Sequence, residues 1–348
     1  MLSSYMVIVG VECTAHTFGV GVVRKGKILA NVRDMYKPTK GGIIPMESAA
    51  HHRSVSESIW NEALEKAGIS NKEIDAIALS NAPGLAPCLL AGMEFAKKKA
   101  RELNKKIVCV NHCIAHLEIG HLAKPSFATP STFDLKKVAG HEGASDPVLL
   151  YASGANTQII AFAAGKYRVF GETLDMGVGN FIDSFARELG IAFPGGPEVE
   201  KLAKQGKYIE LPYSIKGMDV SFSGIYTKLK QLYSKGAKKE DLCFSLQETV
   251  FAMLVEAAER ALAHTGKDEL VLGGGVACNA RLQEMCRIMC HERDAKFFCP
   301  AKEFLQDNGA MVAFLGEKLF ECGNYSKDID KVDILPRQRT DELEIKYR

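Results

Sequence analysis

The most constraining feature of the chain is a pattern written twice. From Val7 the apolar run VIVGVE meets a polar turn, CTAHT, and continues as FGVGVV, a tight RKGK turn and ILANV. Strand, turn, strand, turn, strand reads as a β-meander. At Val148 the same grammar returns as VLLYAS, GANTQ, IIAFA, an AGK turn and YRVFGET, a lag of about 140 residues. Repeats at periods of ~20 to 50 residues build solenoids, whereas one repeat at nearly half the chain length marks a duplicated domain facing its copy, with the cleft between the copies as the natural ligand site. After each meander the apolar period lengthens to that of a helix, through Val55, Ile59, Ala63 and Ala67 in the first half and Phe181, Phe185 and Leu189 in the second. Strand-like runs at 74–80, 107–111, 269–275 and 296–300 alternate with helical stretches such as Leu242, Leu246, Val250, Leu254 and Leu262. The expected fold class is α/β, with two lobes that each hold a mixed sheet flanked by helices.

At 348 residues, 47% hydrophobic and 25% charged, the chain is long enough for two domains. The first is expected over 1–120, completed by a helix at about 307–324, and the second over 148–306. Between them 121–147 reads as an inter-lobe loop, rich in Pro, Ser, Gly and charge, and 325–348 as a C-terminal tail. A net charge of +2 excludes a global field that draws nucleic acid or anionic membrane, so any nucleic-acid contact must be a local patch. The run KKKAR at 97–101, with Lys105 and Lys106, reads either as such a patch or as a solvated helix face. Ten cysteines without a C-x-x-C pair read as buried thiols in a reducing compartment. There is no basic leader and no apolar run approaching the ~20 residues of a membrane span. The expectation is a cytoplasmic protein with no membrane partner.

Chemistry concentrates in a few places. In NHCIAH, His112 and His116 stand four apart directly after a strand, so they share a face if a helix begins there. Two imidazoles at that spacing either bind one metal or simply line a packed helix. A zincin needs Glu directly after its first His, and that position is Cys113, so a metalloprotease lacks its base. The second lobe offers glycine-bearing turns at 153–156, 175–180, 193–198 and 273–279, where backbone N–H groups either meet a phosphate or nucleoside or merely connect strands to helices. Near them lie Asp175, Asp183, Glu198, Glu200 and Asp307, each a candidate cap or ligand-binding acid. The P-loop pattern is absent.

Taken in order, NHCIAH, YASGANTQ, GNFIDSFARELG, FPGGPEVEKLA, KGMDVSFSG, GGGVACNARL and QDNGAMVAF resemble the Kae1/TsaD/OSGEP family in its archaeal and eukaryotic Kae1-like branch, over essentially the whole chain. The resemblance implies a duplicated actin-like ATPase (ASKHA) fold. It implies transfer of a threonylcarbamoyl group from threonylcarbamoyl-AMP to N6 of adenosine 37 in tRNAs reading ANN codons. It implies one divalent metal ion, iron by the family's usual assignment with Zn or Mg as alternatives, on His112, His116, Tyr151 and Asp307. For the adenylate it implies Tyr151, Ala152, Ser153, Gly154, Ala155, Asp183, Gly196, Glu200 and Asn279, with Asp183 and Glu200 on ribose hydroxyls. No general base is named. The implied context is a KEOPS-type complex with a Bud32-type kinase, Pcc1-type and Cgi121-type subunits and tRNA, in the cytoplasm, or the nucleus of a eukaryote. Because the chain ends at Arg348, the kinase is expected as a separate protein.

Two departures stand out. Archaeal relatives read Y-V-S-G-G-N-T-Q, where this chain has Ala152 and Ala155, and Ala155 has less backbone freedom than glycine. The loop from about His121 to Pro147 is long for the family. Alternative readings of the same fold are a small-molecule kinase or a nucleotide-gated chaperone or scaffold. Kinase relatives begin D-x-G-x-T, whereas Glu12 stands here where a magnesium-binding Asp belongs.

Overall fold

The structure is a computed structural model that describes residues 6–38, 41–122 and 143–348. The first half builds β1 (Val7–Glu12), β2 (Thr17–Arg24), β3 (Lys27–Met35), α1 (Pro45–Ala67), β4 (Ala76–Ala82), α2 (Ala86–Leu103), β5 (Lys106–Asn111) and α3 (His112–Ile119). The sheet order is β3-β2-β1-β4-β5, antiparallel through the meander and parallel from β1 to β4 and from β4 to β5. β1 is buried along its whole length, as a continuous apolar run at the centre of a covered sheet must be.

The second half repeats the plan with β6 (Val148–Ala152), β7 (Thr157–Ala163), β8 (Lys166–Glu172), α4 (Val178–Glu188), α5 (Gly196–Ala203), a two-stranded ribbon of β9 (Ile215–Lys216) and β10 (Asp219–Val220), α6 (Ser223–Ser234), α7 (Lys239–Thr265), β11 (Glu269–Gly273), α8 (Ala280–Glu292), β12 (Lys296–Phe298) and α9 (Lys302–Leu305). Its sheet order is β12-β11-β6-β7-β8, the same sequence of two parallel strands beside a meander. The likeness extends to detail. Both second hairpins turn on a pair of residues with positive φ, Lys25–Gly26 (54° and 68°) and Ala164–Gly165 (51° and 78°), the I′ geometry that matches strand twist. Both also carry a register shift, between Val22 and Val23 and between Ile159 and Ile160.

The last helix, α10 (Gly309–Glu321), packs on the first sheet. The chain divides into two compact units, Met1–Ile119 with Asp307–Arg348, and Gly120–Gln306. In the first, α10 lies so close to β1 and β2 that a methyl built on Gly21 would stand 2.2 Å from the Ala310 nitrogen. Only glycine admits that approach. Residues 325–348, expected as a tail, also belong to this unit: Ser326 N–H donates to Ile107 O at 2.8 Å and Leu335 N–H to Asn81 O at 2.9 Å. The core of the second unit gathers around α7 and the stacked rings of Phe181 and Phe222. Residues 123–142, most of the expected inter-lobe loop, lie outside the described residues. No helix of the described residues is long and apolar enough to cross a membrane.

Candidate functional site

In the first unit the strand β5 runs directly into α3, and the side chain of Asn111 makes the junction abrupt. Its Oδ1 accepts the N–H groups of Cys113 (3.0 Å) and Ile114 (3.2 Å), an N-cap that sets the helical phase of α3. His112 and His116 then share one face, their rings edge to face with centroids 4.7 Å apart. Asp307 arrives just before α10, whose N-cap is Asn308, with Oδ1 accepting Met311 N–H at 3.0 Å. Asp307 Oδ1 stands 3.4 Å from His112 Nε2 and 3.3 Å from His116 Nε2, and the three ligand atoms lie within 4.8 Å of one another.

The protonation pattern suits a cation. Burial pushes the Asp307 carboxyl up, but the imidazoles of His112 and His116 outweigh it and hold the group well below the usual carboxylate range. Burial pushes His116 below its ordinary value against the pull of Asp307, favouring the neutral ring that ligates. His112 Nδ1 is 3.0 Å from Glu12 Oε2, while Glu12 Oε1 accepts Thr14 N–H (2.8 Å) and Oγ–H (2.6 Å). With its other oxygen committed to Thr14, the carboxylate is placed to accept a hydrogen bond from His112 Nδ1–H, the tautomer in which Nε2 can ligate a metal held with Asp307. Two imidazole nitrogens and one ionised carboxylate are an acceptable donor set for Fe or Zn, so the residues present fit a divalent metal. Glu12 and Thr14 were not among the expected site residues. The signal for Glu12 was a single acidic residue closing the otherwise apolar VIVGVE, and Thr14 carried none.

The remaining candidates belong to the second unit. Tyr151 lies on β6 opposite Gly273 and Gln158, 1% exposed. Ala152 ends the strand, and Ser153–Asn156 form a turn closed by Ser153 N–H and Oγ–H donating to Asn156 O. The start of α4 covers that turn: Gly179 N–H donates to Ser153 O at 3.0 Å and Asn180 N–H to Gly154 O at 2.9 Å. A methyl on Gly177 would meet Gly154 O at 2.3 Å, so tight packing of backbone on backbone accounts for this glycine without a ligand. Gly196 has open space instead. Ala155 is exposed and is not among the non-glycine residues with positive φ, so replacing glycine there strains nothing.

Four expected binding residues are joined through their immediate sequence neighbours. Asp183 Oδ1 accepts Gly195 N–H at 2.7 Å, next to Gly196 at the start of α5. Glu200, one turn further along α5, accepts Ala280 N–H through Oε1 at 3.0 Å. Asn279 caps α8, its Oδ1 taking Arg281 N–H (2.9 Å) and Leu282 N–H (3.3 Å), and its Nδ2 donating to Gln247 at 3.0 Å. Gln247, on α7, holds Asn279 in place and carried no local sequence signal. Asp175 works structurally, accepting Phe222 N–H and Ser223 N–H to cap α6.

A model of the TsaD family, described as tRNA N6-adenosine threonylcarbamoyltransferase, matches residues 27–314. The tRNA N6-adenosine threonylcarbamoyltransferase of Thermococcus kodakarensis is 50% identical over 342 residues, 98% of this chain and 99% of that protein. The chain belongs to this family. Another member, from Thermococcus sibiricus, is 48% identical over 98% of this chain and all of its own length. The probable bifunctional tRNA threonylcarbamoyladenosine biosynthesis protein of Methanocorpusculum labreanum is 45% identical over 98% of this chain, which spans 61% of that protein. Among solved structures, Thermococcus kodakarensis HypF superposes at a TM-score of 0.59 and 16% identity, covering 94% of this chain and 49% of that one. The Acidaminococcus fermentans (R)-2-hydroxyglutaryl-CoA dehydratase component A gives 0.53 and 12%, covering 89% and 96%. At such identities these two speak for the fold alone, and the fold of this family member is the duplicated actin-like one.

Proposed function

We propose that the chain is a tRNA N6-adenosine threonylcarbamoyltransferase whose first unit holds a divalent metal and whose second unit holds the adenylate. The transferase assignment rests on the full-length match to the Thermococcus kodakarensis enzyme, and the reaction is an acyl transfer. The exocyclic amine of adenine is a weak nucleophile because its lone pair is delocalised into the ring, so the acyl donor must be made more electrophilic. A metal bound on His112, His116 and Asp307 supplies Lewis acidity toward the threonylcarbamoyl group. Iron is the proposed occupant, and Tyr151 a further phenolate ligand, both on the resemblance of the motifs. Glu12 keeps His112 in the tautomer that ligates.

In the second unit, Asp183 and Glu200 are proposed to bind ribose hydroxyls. The open face at Gly196 and the turn ending in Asn279 flank the adenine, and the backbone from Tyr151 to Ala155 meets the phosphate. These groups orient the donor and stabilise AMP as it leaves. The acceptor is adenosine 37 of tRNAs reading ANN codons. The proposed setting is a cytoplasmic KEOPS-type complex with Bud32-type, Pcc1-type and Cgi121-type partners.

The test is incorporation of labelled threonine into A37 of an unmodified tRNA, with purified chain, threonylcarbamoyl-AMP and candidate partners added or omitted. Transfer that requires the chain and vanishes together with metal binding in His112→Ala or Asp307→Ala is the expected result. Full transfer by a metal-free variant would overturn the metal's role, and no transfer with every partner present would overturn the function.

A further inference from the structure

The sequence offers one obvious basic run, at 97–101, and the structure neutralises it. On α2, Lys98 Nζ lies 2.7 Å from Glu57 Oε1, Lys99 Nζ 2.7 Å from Glu57 Oε2, and Arg101 pairs with Asp330. Lys97 donates to the Asp330 carbonyl at 3.2 Å.

Positive charge accumulates in the second unit instead. Residues 204–239 hold eight lysines and only two acids, Glu210 and Asp219, a net +6 in a chain whose total is +2. The fold draws the ends of this segment together. Lys204 closes α5, and Lys207 N–H donates to Asp241 Oδ1 at 2.7 Å, which ties the segment to the first turn of α7. Gly206 packs on the Glu240 backbone, where a methyl would stand 2.1 Å from the carbonyl oxygen. Lys235 follows α6 and Lys238 precedes α7. Lys204, Lys207, Lys235 and Lys238 are exposed, and among the described residues none of the four makes an ion pair. Beside Lys207, Tyr208 is 55% exposed. Lys204 also stands one helical turn beyond Glu200 on the same face of α5, so this surface adjoins the proposed nucleotide residues.

We propose that Lys204, Lys207, Lys235 and Lys238 form the chain's own contact with the phosphate backbone of its RNA substrate, an inference that rests on the tRNA reading above. Unpaired, solvated lysines around an exposed aromatic residue are the composition that tracks a polyphosphate chain. Acid-neutralised lysines such as Lys98 and Lys99 are not.

The test compares wild-type chain with the combined Lys204→Glu, Lys207→Glu, Lys235→Glu and Lys238→Glu variant, and with the same four changed to Ala, in binding unmodified tRNA across a salt series. Both variants should weaken binding by about tenfold or more at moderate salt. In the alanine variant the slope of log K against log salt should shrink by about 0.7 to 0.9 for each phosphate no longer neutralised. Lys98→Gln with Arg101→Gln should change neither quantity. In the transfer assay the quartet should raise KM for tRNA and leave kcat in place. Unchanged affinity and slope in the alanine variant, or a wild-type chain without tRNA affinity, overturns the surface. A wild-type chain that binds tRNA through these lysines yet transfers nothing overturns the function and leaves the surface standing.

Discussion

Glu12 Oε2 and His112 Nδ1 stand 3.0 Å apart, joined across 100 residues of sequence. A carboxylate that closes β1 thereby fixes the ring of the first residue of α3. Glu12→Gln keeps a similar shape but can present an amide N–H to Nδ1, which favours the tautomer with its proton on Nε2. Metal affinity should fall about 10- to 100-fold, the usual cost of losing an outer-shell partner. Titration with Co(II), followed by its absorption bands, measures this directly. An unchanged dissociation constant would remove Glu12 from the account.

A second carboxylate, this one on α3 itself, does different work. Glu118, with no exposed side-chain surface, receives Lys318 Nζ of α10 at 2.6 Å and Tyr347 Oη–H at 3.1 Å. The pair links the helix of His112 and His116 to the helix that begins just after Asp307. Lys318→Met should destabilise the chain by about 3 kcal/mol, since it leaves a buried carboxylate without its closest cation. Adding Glu118→Gln should restore part of that loss. Urea unfolding of the single and double variants tests both, and a double variant as weak as the single one speaks against the pair.

His52 is buried on α1 against the ring of Phe18, at a centroid separation of 5.7 Å. Burial, then the neighbouring His51, pushes its imidazole from 6.5 down to about 4. The unfolded chain takes up a proton near 6.5 that the folded chain refuses until near 4, so the stability His52 contributes is complete above 6.5 and lost as pH falls through that window. The full effect is up to about 3 kcal/mol. His52→Leu should flatten the acid side of the stability profile measured by urea unfolding from neutral pH down to about pH 4.5, inside that window. An acid slope as steep as that of the wild type would show that other groups cause it.

Asn279 has two roles that can be separated. As the N-cap of α8 it contributes about 1 kcal/mol, which Asn279→Ala should forfeit, whereas Asn279→Asp keeps the cap. If the residue also meets the adenylate, Asn279→Asp should weaken binding of threonylcarbamoyl-AMP or AMP at near wild-type stability. Calorimetry on the two variants distinguishes a cap from a ligand contact.

Ala155→Gly installs the glycine that the resembled family's motif has at this position. Because Ala155 already has negative φ, the glycine relieves no strain and adds freedom to the unfolded chain. Stability should drop by about 0.4 to 1 kcal/mol with transfer activity retained. A thermal melt higher than wild type would show that the alanine is strained after all.

The architecture was legible because it is repeated. Two β-meanders at a lag of about 140 residues, each followed by helical periodicity, specify the same sheet twice, and backbone hydrogen bonding is local enough for sequence to report it. The spacing of His112 and His116 was legible for the same reason, since a helix begun at Asn111 puts them on one face whatever surrounds it. Chain order alone left open the company these residues keep. Asp307 reaches His116 across 191 positions only because α10 returns to the first sheet, and Glu12 reaches His112 only because β1 lies near the β5–α3 junction. Charge obeyed the same rule. The run at 97–101 stood out as cationic, yet the fold placed Glu57 and Asp330 beside it while leaving Lys204, Lys207, Lys235 and Lys238 of the second unit exposed. Local periodicity comes from the covalent chain, whereas ligation, tautomer and net surface charge come from neighbours distant in sequence, which only tertiary packing brings together.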